Sequence, residues 1–213
     1  MGIQINQYPL TATALNNEDY LDVDQWNGSA FESKKISGGV LRNQVIPGIF
    51  TQLSEATVAA TTSETSLLGI GNGTLTVPAD TFQIGDTFSF KMCGTFSAHN
   101  NDTFTFRIKS GSVILATSGP ITMPTCTAQT FELVADFCIR AIGTTGVAEI
   151  VTNGSFTYNK NGSNAFEGQN FIDKNNTTFD TTIGNTLDIT VQFSSTNAGN
   201  SMTSKVVYLT KVY

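Results

Sequence analysis

Charge is scarce in this chain of 213 residues. Eleven Lys and Arg and 17 Asp and Glu make up 13% of the positions, about half the usual share in soluble domains. The net charge of -6 and the absence of any basic run argue against a nucleic-acid partner, which needs cations to neutralise phosphates. Histidine occurs once, as His99 in the loop-like SAHNND, with no Ser or Cys partner at a recognisable spacing. A catalytic triad is therefore not expected. The cysteines, Cys93, Cys126 and Cys138, are odd in number and lack C-x-x-C spacing, so free thiols in a reducing cytoplasm are expected and a metal is not. No window approaches 18 consecutive apolar residues, so no membrane span is expected. The start MGIQINQYPL has neither the basic nor the apolar region of an export signal, and Asn6 stands where myristoylation wants Ser or Thr.

Enzyme signatures are missing too: there is no G-x-S-x-G, Walker lysine or H-E-x-x-H. The glycines of GIGNGT, residues 69–74, precede the strand-like TLTVP rather than a helix N-terminus, so a turn is expected and a phosphate loop is not. Asp80, Asp86, Glu132 and Asp136 fall at turns or on outward strand positions and read as solvated surface. The expectation is a non-enzyme with no cofactor.

Polarity comes instead from 32 Thr, 18 Asn and 17 Ser. Threonine's branched Cβ favours pleated, half-buried surfaces over helices. Seven N-x-S/T sequons follow from this composition, four of them at Asn-Gly pairs, and glycosylation is not expected.

From residue 56 onward the apolar period is two. Phe88, Phe90, Met92 and Phe96 share one face, with Thr87, Ser89, Lys91, Cys93 and Thr95 opposite. Phe104, Phe106 and Ile108 repeat the pattern, as do Phe131, Leu133, Ala135, Phe137, Ile139 and Ala141, and later Leu187, Ile189, Val191 and Phe193. Shorter strands are expected in TSLLGI, TLTV, SVILAT, GVAEIVT and GSFTYNK, with hairpin turns at Asn72-Gly73 and Asn153-Gly154. Residues 159–182 read as loop-rich. The final SKVVYLTKVY is apolar on both faces, Val206 and Tyr208 against Val207, Leu209 and Tyr213, which suggests cover on both sides. Eight to ten such strands without a helix give an all-β, jelly-roll-like two-sheet β-sandwich over residues 51–213, an open barrel being the alternative. Cys93 and Cys138 lie on polar faces, unusual for free cysteine, so with Val207, Leu209 and Tyr213 they are candidate subunit-interface residues.

Residues 1–50 hold the only tryptophan and no long alternating strand, and read as a small separate module. DYLDVDQWNGSAFESKKI, residues 19–36, fails as a calcium loop: Trp26, Asn27 and Ser33 stand where an oxygen ligand, glycine and an acid are needed. It reads as a hairpin with a two-residue turn at Asn27-Gly28, setting Tyr20 opposite Lys35 and Asp22 opposite Ser33. Asp22 and Lys35 then become diagonal neighbours. A lone hairpin is marginally stable, so Tyr20, Asp22, Trp26 and Lys35 are candidates for an attachment surface with Trp26 as the apolar contact.

Two stretches carry a family likeness. INQYPLTATALNNEDYLDVDQWNGSAFESKKISGGVL resembles the N-terminal segment of tailed-bacteriophage and other viral structural proteins, with its I-x-x-x-P start, acid-rich strand and K-I-S step. TTSETSLLGIGNGTLTVPADTFQIGDTFSFKMCGTFS is similar to the opening of the β-sandwich in virion fibre and decoration proteins, with E-T-x-L, G-x-G, T-V-P-A and G-D steps. The resemblance covers roughly the first 97 residues. It implies a virion structural protein, a head-fibre, tail-fibre or decoration subunit made in the host cytoplasm. Residues 1–50 would attach to other virion proteins and the sandwich would be displayed on the particle exterior as a homotrimer, with a host glycan or receptor as a further partner. The alternative is a secreted carbohydrate-binding module. For it, Tyr158, Phe166 and Phe171 are the candidate aromatic receptor residues.

Overall fold

A computed structural model describes residues 20–26, 28–37, 48–160 and 165–213. The chain divides into two units, Met1–Pro47 and Gly48–Tyr213, so the second begins three residues before the expected boundary. The difference has a simple cause: Gly48–Gln52 is already a strand of the sandwich.

In the first unit β1 (Tyr20–Trp26) pairs antiparallel with β2 (Phe31–Ser37). The hairpin is as expected but its register is not. Trp26 pairs with Phe31, so four residues make the connection rather than two, and Tyr20 opposes Ser37 while Asp22 opposes Lys35 directly. Gly28 does take the positive φ the turn requires, +100°. The longer loop aligns Asp24 with Ser33, whose Oγ donates to the Asp24 carboxylate at 2.7 Å. A shift of two keeps every residue on its face, because side chains alternate with period two.

The second unit is all-β among the described residues, two antiparallel sheets facing each other. The larger sheet runs β14 (Phe166–Asn175), β13 (Glu149–Asn159), β12 (Cys126–Ala141), β8 (Thr87–Ala98), β16 (Ser201–Lys211), β3 (Gly48–Gln52), β6 (Gly71–Gly73), with β4 (Ala56–Ala59) also pairing β16. The smaller runs β10 (Val113–Thr117), β9 (Thr103–Ser110), β15 (Asn185–Phe193), β5 (Thr65–Ser66), joined by β11 (Ile121–Thr122) and β7 (Thr76–Val77). The chain crosses between sheets from β8 to β9 and from β15 to β16.

The period-two residues become the core. In β8 the inward residues Phe88 to Ala98 are all buried and every outward neighbour is half-buried. Phe156 is the centre of an aromatic cluster, its ring centroid 5.0–6.3 Å from those of Phe96, Phe104, Phe106, Phe131 and Tyr158. Edge, tilted and stacked pairings of this kind stabilise beyond the area they bury.

Three expectations about local structure are corrected here. Asn153-Gly154 is no turn; it lies inside β13, where a side chain at Gly154 would collide with the Phe171 ring. Within the loop-rich residues 159–182 a strand not expected there, β14, occupies ten positions. Asn72-Gly73 belongs to β6, and Gly69, Gly71 and Gly73 are glycines because their backbone passes too close to Ser54, Thr51 and Ile49 of the β3 side for a Cβ to fit.

The doubly apolar last strand is covered by the core on one face only, Val206 and Tyr208 staying exposed on the other. A bulge between Ser204 and Val206 shifts the phase of β16 against β8. Met202 and Ser204 point inward before it and Val207 and Leu209 after it. Buried Ser204 donates to the Leu67 carbonyl at 2.6 Å and accepts from Gln52 at 3.1 Å, which satisfies the hydroxyl that the bulge turns into the core.

The exposed edge of β10 is closed by side chains in place of a strand. From β14, Asp173 accepts from the Thr117 amide at 2.8 Å, Asn175 donates to the Ile114 carbonyl at 2.8 Å and Gln169 to the Ser118 carbonyl at 2.6 Å. Covering backbone groups in this way removes a template for unwanted pairing.

Candidate functional site

The outer face of the larger sheet carries the most developed surface feature. Register places Cys93, Glu132, Thr157 and Gly168 in one row across β8, β12, β13 and β14. In the neighbouring row Asn159 opposes Phe166. A hollow of about 390 Å³ opens here, lined on its polar side by Thr130, Glu132, Thr157 and Asn159, with Phe166 as its aromatic wall. Gly168 stands two residues on from Phe166 on the same side of β14. A Cβ there would sit 2.1 Å from the Phe156 carbonyl oxygen, so the row ends without a side chain on β14.

Lys91 reaches Glu132 Oε2 at 2.6 Å. The carboxylate raises the lysine pKa through that hydrogen bond, and the pair leaves the hollow without net charge. Cys93 donates weakly to the same oxygen at 3.7 Å. Burial and the neighbouring carboxylate both push the thiol pKa up, which holds Cys93 protonated and poorly nucleophilic. Glu132 Oε1 and the side chains of Thr130, Thr157 and Asn159 have no hydrogen-bond partner among the described residues.

Beneath this face, Tyr158 is buried and donates to Glu167 at 2.6 Å, while Lys160 reaches the other oxygen of Glu167 at 2.6 Å. Burial, then the carboxylate, raises the phenol pKa, and Lys160 with Tyr158 lowers that of Glu167. This clasp fixes the residue next to Phe166.

The sequence candidates scatter. Of the aromatic three, only Phe166 is presented to solvent, at 75% exposure. Tyr158 belongs to the core, and Phe171 lies half-buried on the inner face over Gly154. Of the interface five, Val207 and Leu209 are taken up by the chain's own core. Cys93 and Cys138 are half-buried on the outer face, and Tyr213 is exposed beyond the end of β16. Asp22 and Lys35 are exposed; the side chains of Tyr20 and Trp26 lie outside the described residues.

A second cluster gathers triad-type residues at one end of the sandwich. Asp102 accepts from Ser195 at 2.7 Å and from Asn200 at 2.8 Å, with His99 Nδ1 3.6 Å away. Those two hydrogen bonds lower the Asp102 pKa. The order is wrong for nucleophilic catalysis, because the serine proton goes to the carboxylate and not to the imidazole. The cluster ties the loop after β8 to the loop before β16. Among the described residues no group of three or more His, Cys, Asp and Glu is placed to hold a metal ion.

The opposite end differs in character. Hydrogen bonds from Gly85 to Ile139, Thr87 to Tyr213, Asp80 to Thr181 and Thr181 to Gly143 bring three loops and the end of β16 together. They present Ile84, Ile142, Val147, Ile183, Val212 and Tyr213, all exposed.

No protein-family model matches the chain, and no curated protein matches it.

Proposed function

We propose that the chain is a virion structural subunit of the fibre or decoration kind, with an attaching N-terminal unit and a sandwich displayed as a homotrimer. The resemblance of residues 5–41 and 61–97 to such proteins supports the class. The observation that carries the reading is the asymmetry of the sandwich: six exposed apolar side chains gather at one end, and a polar, internally satisfied loop cluster closes the other. Exposed apolar patches mark association sites. The apolar end is therefore the subunit contact in this reading, with Tyr213 in it, while Cys93 faces an open hollow.

Light scattering on the purified full chain tests it. The expected mass is that of three 22.8 kDa chains, falling to one in the double variant Ile84→Asp, Tyr213→Asp. A monomer throughout the micromolar range overturns the trimer, and absence of the chain from purified particles of its source overturns the virion role.

A further inference from the structure

We infer that the hollow beside Phe166 binds a neutral saccharide of one or two rings. Four features of the site select that chemistry. Lys91 and Glu132 cancel each other at 2.6 Å, so a free anion would meet Glu132 and a free cation would meet Lys91. A purely apolar ligand would take Glu132 Oε1, Thr130, Thr157 and Asn159 out of water with nothing to replace it, a costly exchange for each group. Those groups have no partner among the described residues and so can pair with ligand hydroxyls. Phe166, at 75% exposure, has no polar handle and offers only a ring face.

A pyranose answers all four at once. Its C–H face stacks on Phe166, vicinal hydroxyls donate to Glu132 Oε1, and the remaining hydroxyls exchange hydrogen bonds with Thr130, Thr157 and Asn159. The volume, about 390 Å³, falls at the small end of ligand sites. The walls are set in advance by the Tyr158–Glu167–Lys160 clasp and by the close backbone approach at Gly168, so little ordering is needed on binding. An open hollow with one aromatic wall predicts weak affinity, with Kd of order 1 mM. The site lies toward the Asn159 end of β13, away from the apolar loops. It needs only the sandwich and stands whether or not the chain assembles on a particle.

Saturation-transfer NMR on the full chain tests this, using glucose, galactose, mannose, N-acetylglucosamine, lactose and maltose, with sialic acid as the anionic comparison. At least one neutral sugar is expected to receive saturation at its ring C–H protons, and sialic acid none. Phe166→Ala and Glu132→Gln, both surface changes, should each weaken binding by about tenfold, while Thr105→Ala on the other sheet leaves it unchanged. No transfer to any neutral sugar at tens of millimolar overturns the proposal, as does binding that survives both variants or favours sialic acid. A monomeric mass in light scattering would remove the assembly reading and leave this one untouched.

Discussion

The two faces of the larger sheet are built from the same strands and obey different rules. Inward, β8, β12 and β13 place Phe90, Met92, Leu133 and Phe156 where each is wholly buried. Outward, the same strands place Lys91, Cys93, Glu132 and Thr157 where each stays in reach of water. The inner face is fixed by volume, because interiors are packed as densely as organic crystals. The outer face is under no such constraint, so its composition is free to serve recognition. The hollow beside Phe166 is what that freedom leaves: hydroxyl and amide groups with no partner among the described residues, one residue away from side chains that could not change size.

This contrast can be broken most directly at adjacent positions of β13. Phe156→Ala removes the centre of the aromatic cluster and should cost about 3–5 kcal/mol, measured by denaturant midpoint. Thr157→Ala, its outward neighbour, should stay within about 0.5 kcal/mol of the parent. Comparable losses from the two would mean the faces are not distinct. A smaller test uses a buried hydroxyl on the inner face of β13. The Thr152 hydroxyl is buried with no hydrogen-bond partner among the described residues, so Thr152→Val should stabilise by about 1 kcal/mol; a lower melting temperature would show that the hydroxyl is satisfied in solution.

The smallest effect is acid sensitivity confined to the periphery. Lys109 above all lowers the pKa of Glu64, Ser195 that of Asp102, Lys160 that of Glu167 and Thr182 that of Asp180. Each folded pKa lies below the unfolded value, so each contribution is complete above that value and disappears as pH falls through the folded pKa. Melting temperature should therefore be flat above about pH 5 and decline below about 4.5, with Glu64→Gln shallower than the parent in that range. A decline beginning near pH 6 would point to a different group.

The strand pattern was legible because alternation is local. A Phe-Ser-Phe run has one way to pack as a half-buried strand, and the inward residues of β8, β9, β12 and β15 fell where the period put them, except Ala141 beyond a bulge at the end of β12. The hairpin at residues 20–37 was legible for the same reason, while its register was not. The choice between a two-residue and a four-residue loop preserves the faces and differs only in which partners meet. Asn153-Gly154 misled because a glycine's sequence neighbours do not reveal a ring arriving from seventeen residues on. Tyr158 and Phe171 misled because aromatic character says nothing of which side of the sheet a residue takes.

The sequence alone determined that the chain would form strands, that the sandwich would be closed by phenylalanine, and that its surface polarity would come from neutral groups. These follow from side-chain period and composition, which are properties of short windows. Tertiary structure alone decided that Val207 and Leu209 turn inward past a bulge, that Tyr158 is buried while Phe166 stands clear, and that Glu132, Thr157 and Asn159 surround one hollow. Those facts depend on cross-strand register and on backbone approach at glycines, and both are set by partners far away in the chain.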